Sequence, residues 1–191
     1  PTLEEASNLP RLLRQLESQE AMALETIVAD GGSNDETQEI ARRHGAILVE
    51  SPPNRGRQMN RGAAVASAPW LLFLHADSGL GSPEQLAEAV KVLDSTSKAR
   101  PDSRVAGHFR LRFERSQPGN AIAYRYYEAK SALNRPECTN GDQGFLMSKA
   151  FFDELGGFDE SLWFLEDQRL AETIRRRGAW ITLPGELATS A

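Results

Sequence analysis

Trp70-Leu71-Leu72-Phe73-Leu74-His75-Ala76-Asp77 is the most informative segment of the chain. Its apolar run is unbroken from Trp70 to Leu74 and ends at a histidine and an aspartate. A short continuous apolar run reads as a strand buried on both faces, the pattern of a parallel sheet. Ligands of open α/β sheets bind just outside the carboxyl ends of the strands. Asp77 therefore stands where a ligand or metal is expected, and a carboxylate suits Mg²⁺ or Mn²⁺. A solvated strand end leading into the Ser78-Gly79 turn accounts for the same residues.

Upstream, Leu9, Leu12, Leu13 and Leu16 have the spacing of one buried helix face, with Ser7 placed to cap it. Leu24 to Ala29 reads as a strand ending at Asp30, followed by the tight turn Gly31-Gly32-Ser33. Ser33 and Glu36 have capping-box spacing for a helix through Ile40 to His44, with Gly45 as its stop. Ala46 to Val49 is a second short strand. Strand, glycine turn and helix together form a βα unit able to receive a phosphate or ribose. The G-x-G-x-x-G and G-x-x-x-x-G-K-[ST] fingerprints are absent, which disfavours NAD enzymes and P-loop NTPases. Two prolines and a glycine make Ser51 to Arg57 a loop. A helix rich in small residues follows from Gln58 to Ser67. Arg55, Arg57 and Arg61 at its start fit either a solvated basic rim or a diphosphate clamp, since guanidinium matches phosphate oxygens bidentately.

Downstream, Ser82-Pro83 opens a helix to about Leu93, and Ser95 to Ser103 reads as a surface loop. Val105 to Glu114 alternates as a strand with one buried face and places His108 on its polar side. Asn120 to Leu133 reads as a helix with Ile122, Tyr126, Ala129 and Leu133 on one side. Asn134 to Asp142 reads as loop, Gln143 to Met147 as a strand, and Lys149 to Leu155 as a helix stopped by Gly156-Gly157. The aromatic loop Phe158 to Phe164 leads into Glu166-Asp167, where a helix through Arg177 begins. Acidic residues in a first helical turn are favoured by the helix dipole whatever their function. Ala179 to Leu183 is a last strand.

At 191 residues the chain fits one domain with a real core. An apolar fraction of 40% and a charged fraction of 26% are ordinary for a globular protein. A net charge of −5 argues against nucleic-acid binding, which needs a basic face. The single cysteine, Cys138, cannot form an internal disulfide, and nothing nearby activates its thiol. No apolar run has the length of a membrane span. Pro1 and the Thr189-Ser190-Ala191 end read as cut ends of a longer protein.

Order and spacing of these motifs resemble the family 2 glycosyltransferases of the GT-A fold, in a bacterial subgroup. Pro1-Thr2-Leu3-Glu4-Glu5-Ala6 is similar to P-T-L-N-E-A, with Glu4 in place of Asn. Ile27 to Asp35 resembles V-D-G-G-S-x-D. Gly56 to Ala63 resembles G-R-x-x-Q-M-N-x-G-A around Gln58-Met59-Asn60. Phe73 to Asp77 resembles F-L-H-A-D, the local form of the D-x-D metal motif, with His75 replacing its first Asp. Gly141-Asp142-Gln143-Gly144, Gly156-Gly157-Phe158 and Glu166-Asp167 complete the series. The first strand before P-T-L and the arginine-rich segment after T-S-A, both usual in the family, are not in this sequence, so an open sheet position is expected.

The resemblance implies an α/β, mostly parallel central sheet flanked by helices. It implies a nucleotide-sugar-binding half at 1–77 and an acceptor-binding half at 78–191. It implies an inverting transfer of sugar from a UDP- or GDP-sugar to the hydroxyl of a sugar or lipid-linked acceptor. Thr2, Glu5, Asp30, Arg57, Asn60, His75 and Asp77 would bind the donor, with Asp77 holding Mn²⁺ or Mg²⁺. Asp142, Gln143 and Trp163 would shape the acceptor site, and Phe164 could stack on a sugar beside Trp163. Asp167 would be the base, with Glu166 beside it. A cytoplasmic setting follows, at the inner membrane face where the acceptor is lipid-linked. A peripheral membrane contact and a homodimer are both compatible with it. Rival readings are a sugar-nucleotide pyrophosphorylase, which wants an N-terminal G-x-G-T-R loop, and a non-catalytic nucleotide- or sugar-binding module.

Overall fold

The computed structural model describes residues 1–114, 121–135, 138–139 and 141–190. Asn120, the expected helix start, and parts of the expected 134–142 loop lie outside them. Seven helices and seven strands are present among the described residues. They are α1 (Leu9–Glu17), β1 (Ile27–Asp30), α2 (Thr37–Arg43), β2 (Ile47–Glu50), α3 (Arg55–Val65), β3 (Trp70–Phe73) and β4 (Gly79–Leu80). There follow α4 (Gln85–Lys98), β5 (Val105–Glu114), α5 (Ala121–Ser131), β6 (Phe145–Ser148), α6 (Lys149–Leu155), α7 (Glu166–Arg177) and β7 (Ala179–Ser190). A short 3-10 turn, Gly141–Gln143, precedes β6.

The strands form two sheets: β1-β2, and a larger one in the order β3-β6-β5-β7-β4. The α/β class is as expected, but the pairing is mixed rather than mostly parallel. The β1-β2 and β5-β7 pairs are parallel, whereas β3-β6, β4-β7 and β5-β6 are antiparallel. Among the described strands β3 pairs only with β6, which explains why its burial is partial despite its apolar run. Thr2 makes an isolated parallel bridge to Asp30, its N–H donating to the Ala29 carbonyl at 2.9 Å. An apolar cleft of about 380 Å³ lies between the edges of β1 and β3, lined by Val28, Ala29, Leu71, Leu72, Leu12 and Met59. Among the described strands no backbone pairing joins β1 to β3.

Alternation along β6 organises the core. Phe145 and Met147 point to a cluster with Met59, Phe152, Phe158, Ile174 and Trp180, under α3, α6 and α7. Leu146 points the other way, to Leu86, Leu93, Phe109, Leu183 and Leu187 under α4. A third cluster joins Leu9 and Leu13 of α1 to Val28 and Ile40. At about 25 cal/mol per Å² of apolar surface removed from water, these clusters are the main stabilising term.

Several local expectations are corrected. Helix α3 starts at Arg55, inside the expected loop, because the Asn54 side chain caps it by accepting from the Arg57 N–H. Ser7 and Ser33 do not cap α1 or α2; Ser33 is instead drawn to Asp30, with a 2.6 Å hydrogen bond from its hydroxyl. Helix α4 runs on to Lys98, into the first part of the expected loop, and β7 extends to Ser190. In α5, Ile122 and Tyr126 are exposed. His108 is buried, because β5 lies between β6 and β7 and is covered on both faces at that point.

Candidate active site

Asp30 closes β1 as a fully buried carboxylate. One oxygen accepts from the Thr2 hydroxyl at 3.0 Å and from that of Ser33. The other accepts from the Gly32 N–H at 3.0 Å, the Ser33 N–H at 2.9 Å and Gln38 Nε2 at 2.9 Å. Gly32 supplies the positive φ of +94° that brings these backbone donors round. Burial pushes the Asp30 carboxyl up, but hydrogen bonds from Ser33, Gln38 and Thr2 outweigh it and hold it below the usual carboxylate range. Gln58, also buried, donates to the Thr2 carbonyl at 2.8 Å and the Ala29 carbonyl at 3.0 Å, fixing the bridge from beneath. Glu5 sits at the start of α1, where its carboxylate accepts from Asn8 at 2.9 Å.

Beyond the end of β3, His75 and Asp77 are half-buried. The Asp77 carboxylate accepts from the Thr189 hydroxyl at 3.1 Å, and its backbone carbonyl accepts from Arg11 at 2.6 Å. Arg11 also pairs with Glu114. His75 Nδ1 lies 2.8 Å from the Asp142 carboxylate. That hydrogen bond, opposed by burial and reinforced by the nearby Arg55 cation, holds the Asp142 carboxyl below its ordinary value. Next to Asp142, the Gly141 N–H donates to Asp167 Oδ2. A Cβ built on Gly141 would lie 2.7 Å from that oxygen and 3.0 Å from His75 Nε2, so a side chain there would push the Asp167 carboxylate aside. His75, Asp142, Gly141 and Asp167 therefore form one continuous chain of contacts from β3 to the first turn of α7.

The two acidic residues of that turn have opposite surroundings. Glu166 is 1% exposed and pairs with Arg55, whose Nε lies 2.8 Å from its carboxylate. Asp167 is half-buried and faces Gly141. Glu166 thus anchors α7 to α3, while Asp167 is the carboxylate presented at the cluster. Of the three arginines at α3, Arg55 faces this cluster. Arg57 turns to Glu160 at 3.0 Å, and Arg61 donates to the Glu50 carbonyl at 2.9 Å. Asn60 is likewise occupied with the 158–160 loop, accepting from the Phe158 N–H at 2.8 Å and donating to its carbonyl at 2.9 Å.

Gln143 is wholly buried, and its Nε2 lies 2.9 Å from His108 Nδ1 and 3.1 Å from the Ser131 carbonyl. It supports the Gly141–Gln143 turn from behind. His108 stacks on Trp180 with ring centroids 5.2 Å apart. Burial, helped by the Arg175 cation and opposed by the Phe109 carbonyl, lowers its pKa to about 4. Trp163 is 69% exposed on the loop before α7. Sequence reasoning missed Arg11, Thr189, His108 and the specific role of Arg55, since each acts through a contact distant in sequence. The run Gly141-Asp142-Gln143-Gly144 was the visible sign of the tight turn.

No group of three or more His, Cys, Asp or Glu side chains suited to a metal occurs among the described residues. Mg²⁺ and Mn²⁺ at nucleotide sites are commonly held by one or two carboxylates together with substrate phosphates. Asp77 fits that mode and does not fit a metal held by protein alone. None of the helices among the described residues is long and apolar enough to cross a membrane.

The fold has counterparts among known proteins. A PGL/p-HBAD biosynthesis glycosyltransferase of Mycobacterium bovis is 31% identical over 129 residues, covering 64% of this chain and 49% of the relative. The chain therefore spans about half the length of such curated relatives. The Staphylococcus aureus TarS 1–349 structure in complex with UDP superposes with a TM-score of 0.75 at 17% identity, covering all of this chain and 59% of that one. The mannosyltransferase PcManGT of Pyrobaculum calidifontis, in complex with GDP-Man and Mn²⁺, gives 0.73 at 24% identity, covering all of this chain and 55% of that one. These superpositions show a shared GT-A-like α/β fold. The family profile described as glycosyl transferase family 2 matches residues 1–156, and the chain belongs to that family.

Proposed function

We propose that this chain is the catalytic unit of an inverting glycosyltransferase that uses a nucleoside diphosphate sugar. The observation that carries the reading is the contact chain His75–Asp142–Gly141–Asp167, which joins the strand end suited to a donor diphosphate to a half-buried carboxylate suited to an acceptor. Residues 1–77 serve the nucleotide and residues 78–191 the acceptor. Thr2 and Asp30 at the end of β1 and Glu5 ahead of α1 hold base and ribose in this reading. The likeness to structures with UDP and with GDP-Man and Mn²⁺ supports a UDP- or GDP-sugar as donor.

In the reaction, the acceptor oxygen forms a bond to the anomeric carbon on the face opposite the diphosphate. The bond from that carbon to the diphosphate oxygen breaks, and its electron pair leaves with the nucleotide. Asp167 takes the acceptor proton; general base catalysis of this kind contributes about 10²–10⁴-fold. Asp77 would hold Mn²⁺ or Mg²⁺ with the donor phosphates, and that ion supplies charge stabilisation to the departing diphosphate. Arg55 adds a fixed positive charge near Asp142 and Glu166. The Gly141 N–H holds Asp167 in place. The acceptor hydroxyl belongs to a sugar or a lipid-linked molecule, and a lipid-linked one would bring the protein to the cytoplasmic face of a membrane.

The test is a transfer assay with UDP- and GDP-sugars, Mn²⁺ and a panel of hydroxyl acceptors, with the product anomer read by NMR. Product of inverted configuration that disappears in Asp167→Asn is the expected result. Full activity in Asp167→Asn, or retained configuration, would overturn the assignment. Nucleotide binding without turnover of any donor would favour a binding module.

A further inference from the structure

The loop ahead of Asp167 carries a feature that the transfer chemistry does not need. Trp163, Phe164 and Leu165 are consecutive, and they are 69%, 76% and 57% exposed. Large apolar side chains scattered singly on a surface are ordinary, but a contiguous group marks a contact site. This group is held out rather than left loose. Leu165 has φ +64°, a left-handed conformation that costs a non-glycine residue energy. The stem of the loop is fastened to α3: Asn54 Nδ2 donates to the Leu162 carbonyl at 3.0 Å, and Asn60 holds Phe158. At Gly56 a Cβ would stand 3.3 Å from the Asp159 carbonyl, so loop and helix lie in close contact. Asp159 accepts from the Ser161 N–H at 3.0 Å and from its hydroxyl, closing the turn on itself.

We propose that Trp163, Phe164 and Leu165 form a ledge for the apolar body of the acceptor, so that the acceptor is an amphipathic molecule with an alkyl or aryl portion beside its reacting hydroxyl. This rests on the reading of Asp167 as the acceptor's base. Position argues for it, because the ledge is continuous in sequence with Glu166 and Asp167 and sits at the same helix end. Composition argues for it too. A site for a bare sugar pairs an aromatic face with polar side chains that bind hydroxyls. Here Leu162 to Leu165 offer a single polar side-chain atom, the Trp163 indole N–H, and the flanking polar side chains are engaged elsewhere, Asp159 with Ser161, Glu160 with Arg57 and Glu166 with Arg55.

The experiment measures binding of monomeric octyl β-D-glucoside, with methyl β-D-glucoside as its control, by ligand-observed NMR. A 5-fluorotryptophan-labelled protein locates the contact among Trp70, Trp163 and Trp180. The expected result is that the octyl compound binds at least tenfold more tightly than the methyl one and shifts the Trp163 fluorine resonance alone. The Trp163→Ser/Phe164→Ser variant, with unchanged circular dichroism, then weakens it at least tenfold. The fluorine shift in the unmutated protein needs no variant and decides the location even where the variant fails to fold. Equal binding of both glucosides overturns the proposal. So does a shift confined to Trp70, which would place the chain in the cleft between β1 and β3. So does binding to phosphatidylcholine–phosphatidylglycerol vesicles without binding of monomeric octyl glucoside, which would make the ledge a lipid-surface contact. No nucleotide is present, so failure of the nucleotide-sugar reading shows in the transfer assay and not here.

Discussion

Asp30 and Asp167 are carboxylates at the ends of two elements, β1 and α7, and they are held in contrasting ways. Asp30 is enclosed, with donors from Gly32, Ser33 and Gln38 close by in sequence and only Thr2 from afar. Asp167 is half-open: one carboxylate oxygen accepts from the adjacent Gln168 N–H at 2.7 Å, and the other is held at long range by Gly141, beside a ledge of exposed apolar residues. The first arrangement is built mostly from one turn and the helix that follows it, with Thr2 added from afar. The second is assembled from β3, the Gly141–Gln143 turn and α7, and depends on the whole sheet being in place. A donor common to many enzymes suits a mostly local cradle, whereas an acceptor specific to one suits a site assembled from loops on a scaffold.

If this contrast holds, the largest effect belongs to Asp167→Asn. Transfer falls by about 10²–10⁴-fold, while the urea midpoint and the nucleotide affinity stay within error of the parent protein. A large stability change in that variant would erase the distinction between the two carboxylates. Asp30→Ala acts the other way. It strands two backbone N–H groups and the Gln38 amide beside a buried site, and by the usual cost of unsatisfied buried donors it destabilises by about 3 kcal/mol. Urea denaturation measures this, and nucleotide binding is lost with it.

The Arg55–Glu166 pair refines the comparison. Arg55→Met leaves the Glu166 carboxylate buried and unpaired; because the arginine is partly in water, the expected cost is about 2 kcal/mol, below the usual range for a broken buried pair. The double variant Arg55→Met/Glu166→Met recovers more than half of that loss, since no unpaired charge remains. Recovery of transfer activity is not expected, because Arg55 also places charge beside Asp142.

His108 provides the smallest effect and the one with a pH signature. Burial lowers its folded pKa to about 4, so between pH 6.5 and 4 the unfolded chain binds a proton that the folded chain does not. Stability from this group therefore falls as pH falls through that window, by about 1 kcal/mol between pH 7 and 5.5. His108→Gln removes that slope, which parallel urea titrations at the two pH values will show. An unchanged slope in the variant would mean that other groups dominate.

Much of the fold was legible because its signals are local. The α6 boundaries from Lys149 to Leu155, the Gly156 stop at φ +85° and the start of α7 at Glu166 all follow from neighbouring residues. The β3 run showed its apolar character but not its place, since an unbroken run reads alike in a central and an edge strand and does not reveal the antiparallel partner β6. His108 misled for a related reason: alternation describes one buried face, and β5 is covered on both in its first half. Arg55 and Arg57 were indistinguishable in sequence, and only the packing of α3 on α7 sends one to Glu166 and the other to Glu160. The Asp-Gly-Gly-Ser turn after β1 was legible, but not that Ser33 would bond Asp30 instead of capping α2, nor that Thr2 and Gln38 would join it; the meeting of His75, Gly141 and Asp167 likewise spans residues far apart.

The most direct measurement is a calorimetric titration of UDP and of GDP into the protein, with and without Mn²⁺, alongside Asp77→Asn. The account expects one nucleotide to bind in a Mn²⁺-dependent way and the Mn²⁺ dependence to vanish in Asp77→Asn. Binding of neither nucleotide by the folded protein, or equal Mn²⁺-dependent binding by the variant, would contradict it.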